Sequence, residues 1–234
     1  MGVSLNVDRV WRYPVKSMLG QRAGSIDVAR HGVVGDRRYA VREPSGCLGS
    51  GKNAGGFRKI DGLFRFRARY AGQGARLTLP DGSEMAADDP RIDERLSTLL
   101  GWPVTLERAD DGSHLDDSPV HLLTTASLAW LSRELPDVAA DERRFRPNIL
   151  LAADGSEPLE QDWVGRRLYV GADLVLEITA PTERCGMVSL AQDELPRDAR
   201  VLRHIRNRAD LMFGVYAAVI QPGVARVGDS VALG

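Results

Sequence analysis

The sequence predicts a mainly β protein, α+β in class, with its strands curled into barrel-like bodies and only a few helices. Three observations carry this. Short alternating apolar and polar runs recur along the whole 234-residue chain, the period-two signature of half-buried strands. Turn-forming residues punctuate them, with 24 glycines and 12 prolines placed between runs rather than within them. Helical periodicity is confined to three segments, and no internal repeat or low-complexity linker intervenes, so the strand edges must close on themselves or be covered.

In order, residues 3–12 alternate as a strand, and Tyr13-Pro-Val-Lys-Ser-Met then turns the chain. Ser25 to Val28 is a further short strand, and Gly35-Asp-Arg-Arg leads into another, with Arg37 near its start. Leu63 to Leu79 reads as two alternating strands around Ala71-Gly-Gln-Gly, closed by the turn Pro80-Asp-Gly-Ser. Asp89-Pro90 caps a helix to about Leu100, Trp102 to Glu107 returns to strand, and Asp110 to Ser118 is acidic loop. Val120 to Thr124 is a strand, and Thr125 or Ser127 caps a helix from about Leu128 to Leu135. Hydroxyls at a helix N-terminus suit an anion, and capping alone explains them equally well. Arg146 and Asn148 stand at the entry to Ile149-Leu-Leu. Trp163 to Val170 and Asp173 to Thr179 pair through Gly171, Arg197 to Arg208 is a basic helix, Phe213 to Ile220 a buried strand, and Val224 to Gly234 the last one.

Composition narrows the function. With 43% hydrophobic and 27% charged residues the chain reads as an ordinary globular protein with room for a substantial core. A formal net charge of −1 argues against a nucleic-acid-binding surface. No signal peptide opens the chain, and no apolar run approaches the ~20 residues of a membrane helix. The two cysteines, Cys47 and Cys185, make a disulfide framework unexpected, so a cytoplasmic location is the expectation. None of the four histidines has metal-motif spacing.

The stretch Glu183-Arg-Cys-Gly-Met carries the most chemistry. It follows the alternating run Leu174 to Thr179, which Pro181 is expected to end because proline cannot donate to a sheet ladder. Cys185 is thereby displayed on a connection beside Arg184, which favours the thiolate that binds metals and attacks electrophiles. A structural cysteine acting as a small hydrophobe is the other reading. Gly46-Cys-Leu-Gly-Ser-Gly-Lys-Asn imitates a phosphate loop, but Asn53 replaces the magnesium-binding hydroxyl, and Gly55-Gly56 breaks any following helix. A glycine-rich hairpin is predicted there, with Cys47 incidental.

Taken together, Tyr13-Pro-Val-Lys-Ser, Gly35-Asp-Arg-Arg-Tyr, Pro119 to Leu128, Phe145-Arg-Pro-Asn-Ile, Arg184-Cys185, Phe213-Gly-Val-Tyr and Val227-Gly-Asp resemble, in order and spacing, the MOSC (molybdenum cofactor sulfurase C-terminal) family with its N-terminal β-barrel domain. Amidoxime-reducing components are the functional relatives this suggests. The resemblance implies a MOSC-type β-barrel at 89–234 preceded by a barrel-like domain at 1–88. It implies the molybdenum cofactor (molybdopterin), with Cys185 as metal ligand and catalytic residue. Lys16 and Arg37 would hold its anionic end, and Thr125, Ser127, Arg146, Asn148 and Arg184 would line the pocket. The implied activity is reduction of small N-oxygenated molecules (amidoximes, hydroxylamines, N-oxides). Electrons would come from an external ferredoxin- or cytochrome b5-like protein, since two cysteines cannot hold an iron–sulfur cluster. Asp36 and Glu183 are the candidate proton donors. Sulfur transfer or cofactor carriage through a Cys185 persulfide is the alternative. The stretch Gly186 to Pro196 departs from the Thr-Val-Asp-Pro-like loop of amidoxime reducers, which leaves substrate shape open.

Overall fold

The computed structural model describes residues 5–234 apart from positions 54, 73, 111 and 116. Val3 and Ser4 of the first expected strand, Gln73 of the expected turn, and Asp111 and Asp116 of the acidic loop lie outside the described residues.

Seven strands close into a barrel. In order around the wall they are Ile149–Ala153, Val120–Thr124, Met212–Gln221, Leu174–Glu183, Arg167–Val170, Ser230–Leu233 and Leu5–Arg12, which returns to pair with Ile149–Ala153. All pairings are antiparallel except Val120–Thr124 with Ile149–Ala153. Alternation sorts the side chains. Val7, Leu122, Ile149, Leu151, Leu176 and Val215 fill the interior and are fully buried, each contributing about 1.5–3 kcal/mol against exposure. The intervening residues Leu123 and Leu150 face outward, as does Phe213, where the register shift opposite Pro181/Glu183 and the left-handed Gly214 break the alternation. Helices Thr125–Glu134 and Arg200–Ala209 cover them with Trp130, Leu131, Val201 and Ile205. Closure removes the strand edges that an open sheet would expose.

A second body packs Val41, Phe66, Leu77 and Leu96 between a four-stranded sheet, a three-stranded sheet and helix Ile92–Leu100. Helix Ile92–Leu100 and strand Thr105–Arg108 belong to this core, the strand pairing with Tyr39–Arg42. A cut at 88/89 would separate them from it, while Leu5–Arg12 already belongs to the barrel. The two bodies therefore interleave in sequence instead of following one another.

Two local expectations need correction. The strand over 174–179 runs on through Pro181 to Glu183, with register shifts around Ala180 and between Pro181 and Glu183. The missing donor is absorbed as an irregularity rather than a stop. The helix expected from 128 begins at Thr125, and its cap is Thr124, whose Oγ1 accepts the Ser127 N–H at 3.1 Å. The segment 46–53 does form a hairpin arm, Leu48–Ser50 lying antiparallel to Tyr39–Arg42. No helix among the described residues is long and apolar enough to cross a membrane.

The N-terminus of helix Thr125–Glu134 is already occupied by an acidic side chain of the protein. Glu160 is completely buried and accepts hydrogen bonds from Thr124 Oγ1 (2.8 Å) and Ser127 Oγ (2.6 Å). Burial pushes its carboxyl pKa up, against the pull of these hydroxyls. Glu160→Ala should strand both hydroxyls, costing about 1–3 kcal/mol for each group left unsatisfied. In a domain of this size each kcal/mol lowers Tm by about 2–4 °C. An unchanged melting temperature would mean that the hydroxyls find other acceptors.

Candidate functional site

A cavity of about 320 Å³ lies between the two bodies. From the second body and its connections come Lys16, Ser17, Arg37 and Lys52; from the barrel side come His121, Arg146, Glu183, Arg184, Cys185 and Tyr216. Of the residues expected at the site, the fold brings Lys16, Arg37, Arg146, Arg184 and Cys185 together around this space.

Local backbone sets several of these residues in place. Ser17, Arg37 and Arg146 all adopt left-handed conformations, with φ of 62°, 48° and 57°. Each costs about 1–3 kcal/mol in a non-glycine residue and persists only where the surroundings enforce it. Tyr13 is one such enforcer. It is nearly fully buried, its carbonyl accepts the Arg37 N–H at 2.6 Å, and its hydroxyl donates to the Pro147 carbonyl at 3.2 Å. Its ring carries the Arg146 guanidinium at 4.2 Å and that of Arg37 at 5.1 Å from the centroid. Asp36 is buried beneath them, accepting the Tyr13 N–H at 2.7 Å and an Arg37 guanidinium N–H. Asp36 therefore orients Arg37 and does not line the cavity. Glu183, the other acid expected beside Cys185, does line it.

Lys16 is buried, donating from Nζ to the His114 carbonyl at 3.0 Å and lying 4.8 Å from the Phe57 ring centroid. Arg146 donates to the Met18 carbonyl at 2.7 Å. Among the described lining residues, Lys16, Arg37, Lys52, Arg144, Arg146 and Arg184 stand against only Asp117 and Glu183. The cavity is an anion-attracting space with a thiol at its edge.

Arg184 serves the frame as much as the cavity. Its guanidinium donates to the carbonyls of Phe213 (2.7 Å) and Phe145 (3.0 Å) and to His121 Nε2 (2.5 Å), while its backbone N–H donates to Leu211. These bonds tie the end of strand Leu174–Glu183 to three neighbouring segments, so Cys185 leaves the barrel from a fixed point. Burial lowers the Arg184 pKa to about 10. Cys185 itself is half-buried and precedes the short turn Gly186–Ser189. Arg144, almost wholly buried, holds the segment beyond it through the carbonyls of Val188, Leu190 and Pro196.

Three expected residues stand elsewhere. Thr125 Oγ1 bonds both the carbonyl and the N–H of Ala153, and Ser127 is spent on Glu160. The helix N-terminus expected to meet an external anion is thus filled by the protein's own carboxyl group. Asn148 clamps strands, its Oδ1 accepting the His121 N–H at 3.1 Å. Missed from the sequence were Lys52, His121, Arg144 and Tyr216. Lys52 belongs to the glycine-rich segment that fails as a phosphate loop, yet its position puts it on the cavity wall. His121 carried no spacing signal at all. Cys47 lies outside this lining.

Burial, then the neighbouring Arg184 charge, drives the His121 pKa well below its ordinary value. The folded state therefore binds fewer protons than the unfolded state as pH falls through about 6.5, and stability falls with it. The slope approaches about 1.4 kcal/mol per pH unit below that point. His121→Gln, which keeps an acceptor for Arg184, should flatten this limb in denaturant titrations run between pH 5 and 8. An unaltered slope would assign the acid loss to other groups.

The sequence matches the MOSC domain over residues 109–232 and the MOSC N-terminal beta barrel domain over residues 4–135. A comparison with curated proteins finds no match. Among solved structures, the chain is similar to the YuaD protein from Bacillus subtilis, with a TM-score of 0.56 and 11% identity over 98% of this chain and 95% of that one. YiiM from Escherichia coli matches with a TM-score of 0.45 and 12% identity over 100% of this chain and 70% of that one. YiiM from Geobacillus stearothermophilus matches with a TM-score of 0.40 and 15% identity over 55% and 66%.

Proposed function

The chain belongs to the MOSC family, with the MOSC N-terminal beta barrel domain, and from that membership we propose a molybdenum-cofactor-dependent oxidoreductase acting on small N-oxygenated molecules. The observation that carries the reading is a lone half-buried thiol at the edge of a cavity walled by arginine and lysine. That donor set fits the group. No cluster of three or more His, Cys, Asp or Glu that would hold a metal ion exists among the described residues, so a bare ion has no cage here. A metal that arrives with an organic carrier needs only one soft protein ligand, and a thiolate supplies it. The carrier's phosphate would meet a bidentate guanidinium and a lysine point charge.

When bound, the cofactor supplies two-electron oxygen-atom chemistry. The protein's own residues do the rest. Cys185 would hold the metal, Arg37 and Lys16 would fix the anionic end, and Arg146, stacked on Tyr13, would close that end. Glu183 on the cavity wall would deliver a proton to the departing oxygen. The overall change consumes two electrons and two protons, turning an N–OH group into N–H and water. The electrons would come from a separate redox protein.

The test is reduction of benzamidoxime by protein made in a cofactor-producing host, with reduced methyl viologen as donor. Formation of benzamidine in proportion to bound molybdenum supports the reading. Cyanide-labile sulfur on Cys185 without molybdenum or turnover would replace it with sulfur transfer.

A further inference from the structure

Beside the first cavity lies a second, of about 460 Å³, and Ser17 and Met187 line both. Its walls are largely apolar, built from Leu19, Ile60, Leu63, Phe64, Met187 and Leu190. Its charged residues Asp61, Arg65, Asp193 and Arg197 are exposed and therefore stand at its rim. Two of these are already paired, Asp61 with Lys59 at 3.1 Å and Asp193 with Arg67. The Phe64 ring, on the wall of this second space, has the Arg146 guanidinium 5.5 Å from its centroid. A single aromatic side chain thus neighbours both the cationic pocket and the apolar one.

The segment after Cys185 builds one of its walls, Met187 lining both cavities. Met187 and Leu190 lie against Gly51, where a Cβ would come within 2.8 Å of Met187 Cγ and 2.9 Å of Leu190 Cδ1. Bare backbone at Gly51 lets these two side chains fold back and leaves the space open. Arg144 braces the same segment through the Leu190 and Pro196 carbonyls. A volume of this size accommodates one or two rings, and apolar walls with few polar groups characterise small-molecule sites.

We propose that this second cavity receives the apolar body of the substrate, an aryl or alkyl group, while its N-oxygenated head lies at Cys185. The proposal rests on the reductive reading above and names the substrate class within it: compounds with a compact apolar body carrying one small polar reacting group.

The test separates the two claims. In cofactor-free protein, the 13C-methyl signal of Met187, one of five methionines, is followed while benzamidoxime or hydroxylamine is added. Benzamidoxime should shift it saturably and hydroxylamine should not. Leu190→Trp, which fills the second cavity only, should weaken the binding at least tenfold, and Ala191→Trp serves should that variant melt early. In loaded protein, Leu190→Trp should raise KM for benzamidoxime at least tenfold and leave KM for hydroxylamine unchanged. Binding and KM indifferent to both tryptophan variants overturn the proposal. A loaded wild type that reduces neither compound overturns the reductive reading, and with it the assignment of the ligand as substrate, whatever the cofactor-free titration shows.

Discussion

Replacing Cys185 with serine is expected to abolish benzamidoxime reduction while leaving the melting temperature nearly unchanged. The thiol is half-buried at the cavity edge and sits outside the three buried apolar clusters, so its loss removes no core contact. The chain around it is held by other groups: Arg184 ties the strand end to Phe213 and Phe145, and Arg144 secures the segment that follows. Serine offers a hard, protonated oxygen where a soft anionic sulfur is needed. Added cofactor should therefore fail to rescue the variant. Cys47→Ala is the matched control, since Cys47 lies outside the cavity in the Tyr39–Ser50 hairpin. Full turnover with bound molybdenum in Cys185→Ser would dismiss the ligand assignment, and loss of both in Cys47→Ala would point to the other thiol.

Arg37→Ala and Lys16→Ala should behave differently, lowering occupancy and sparing turnover per bound metal. A charge-assisted hydrogen bond to an anion is worth about 1.5–3 kcal/mol, roughly ten- to a hundredfold in affinity. Arg37 is presented by a left-handed turn, aligned by Asp36 and laid over Tyr13. Its alanine variant also leaves the buried Asp36 carboxylate with one fewer partner, so part of the loss should register as lower stability. Lys16 donates to the His114 carbonyl, and its variant should likewise register as lost cofactor affinity. Excess cofactor should restore both toward normal activity. Normal occupancy with collapsed turnover per metal would move these residues to substrate or proton handling, and no change in either quantity would leave them as structural charges.

Much of the β framework was legible because alternation is a local property. Leu5–Arg12 and Arg67–Ala71 emerge from period two alone. Barrel closure was not, since it depends on Leu5–Arg12 pairing with Ile149–Ala153, well over a hundred residues away. The cap of helix Thr125–Glu134 was misplaced because Thr124, Thr125 and Ser127 are all competent hydroxyls, and only the strand's exit direction selects the first. The same selection turned Ser127 inward to Glu160, a pairing across 33 residues that no short motif records. At the cavity, Cys185 announces itself by its neighbours in the chain, while Lys16 and Arg37 were legible only through the family resemblance. His121 and Arg144 were not legible, because their roles consist of bonds to a guanidinium and to carbonyls supplied by distant segments.

The most direct test of the central claim is elemental and pterin analysis of the wild-type chain purified from a host that makes the molybdenum cofactor. The account predicts molybdenum approaching one equivalent per chain, with the fluorescence of a released pterin in the same proportion. Pure, folded protein carrying neither would contradict it.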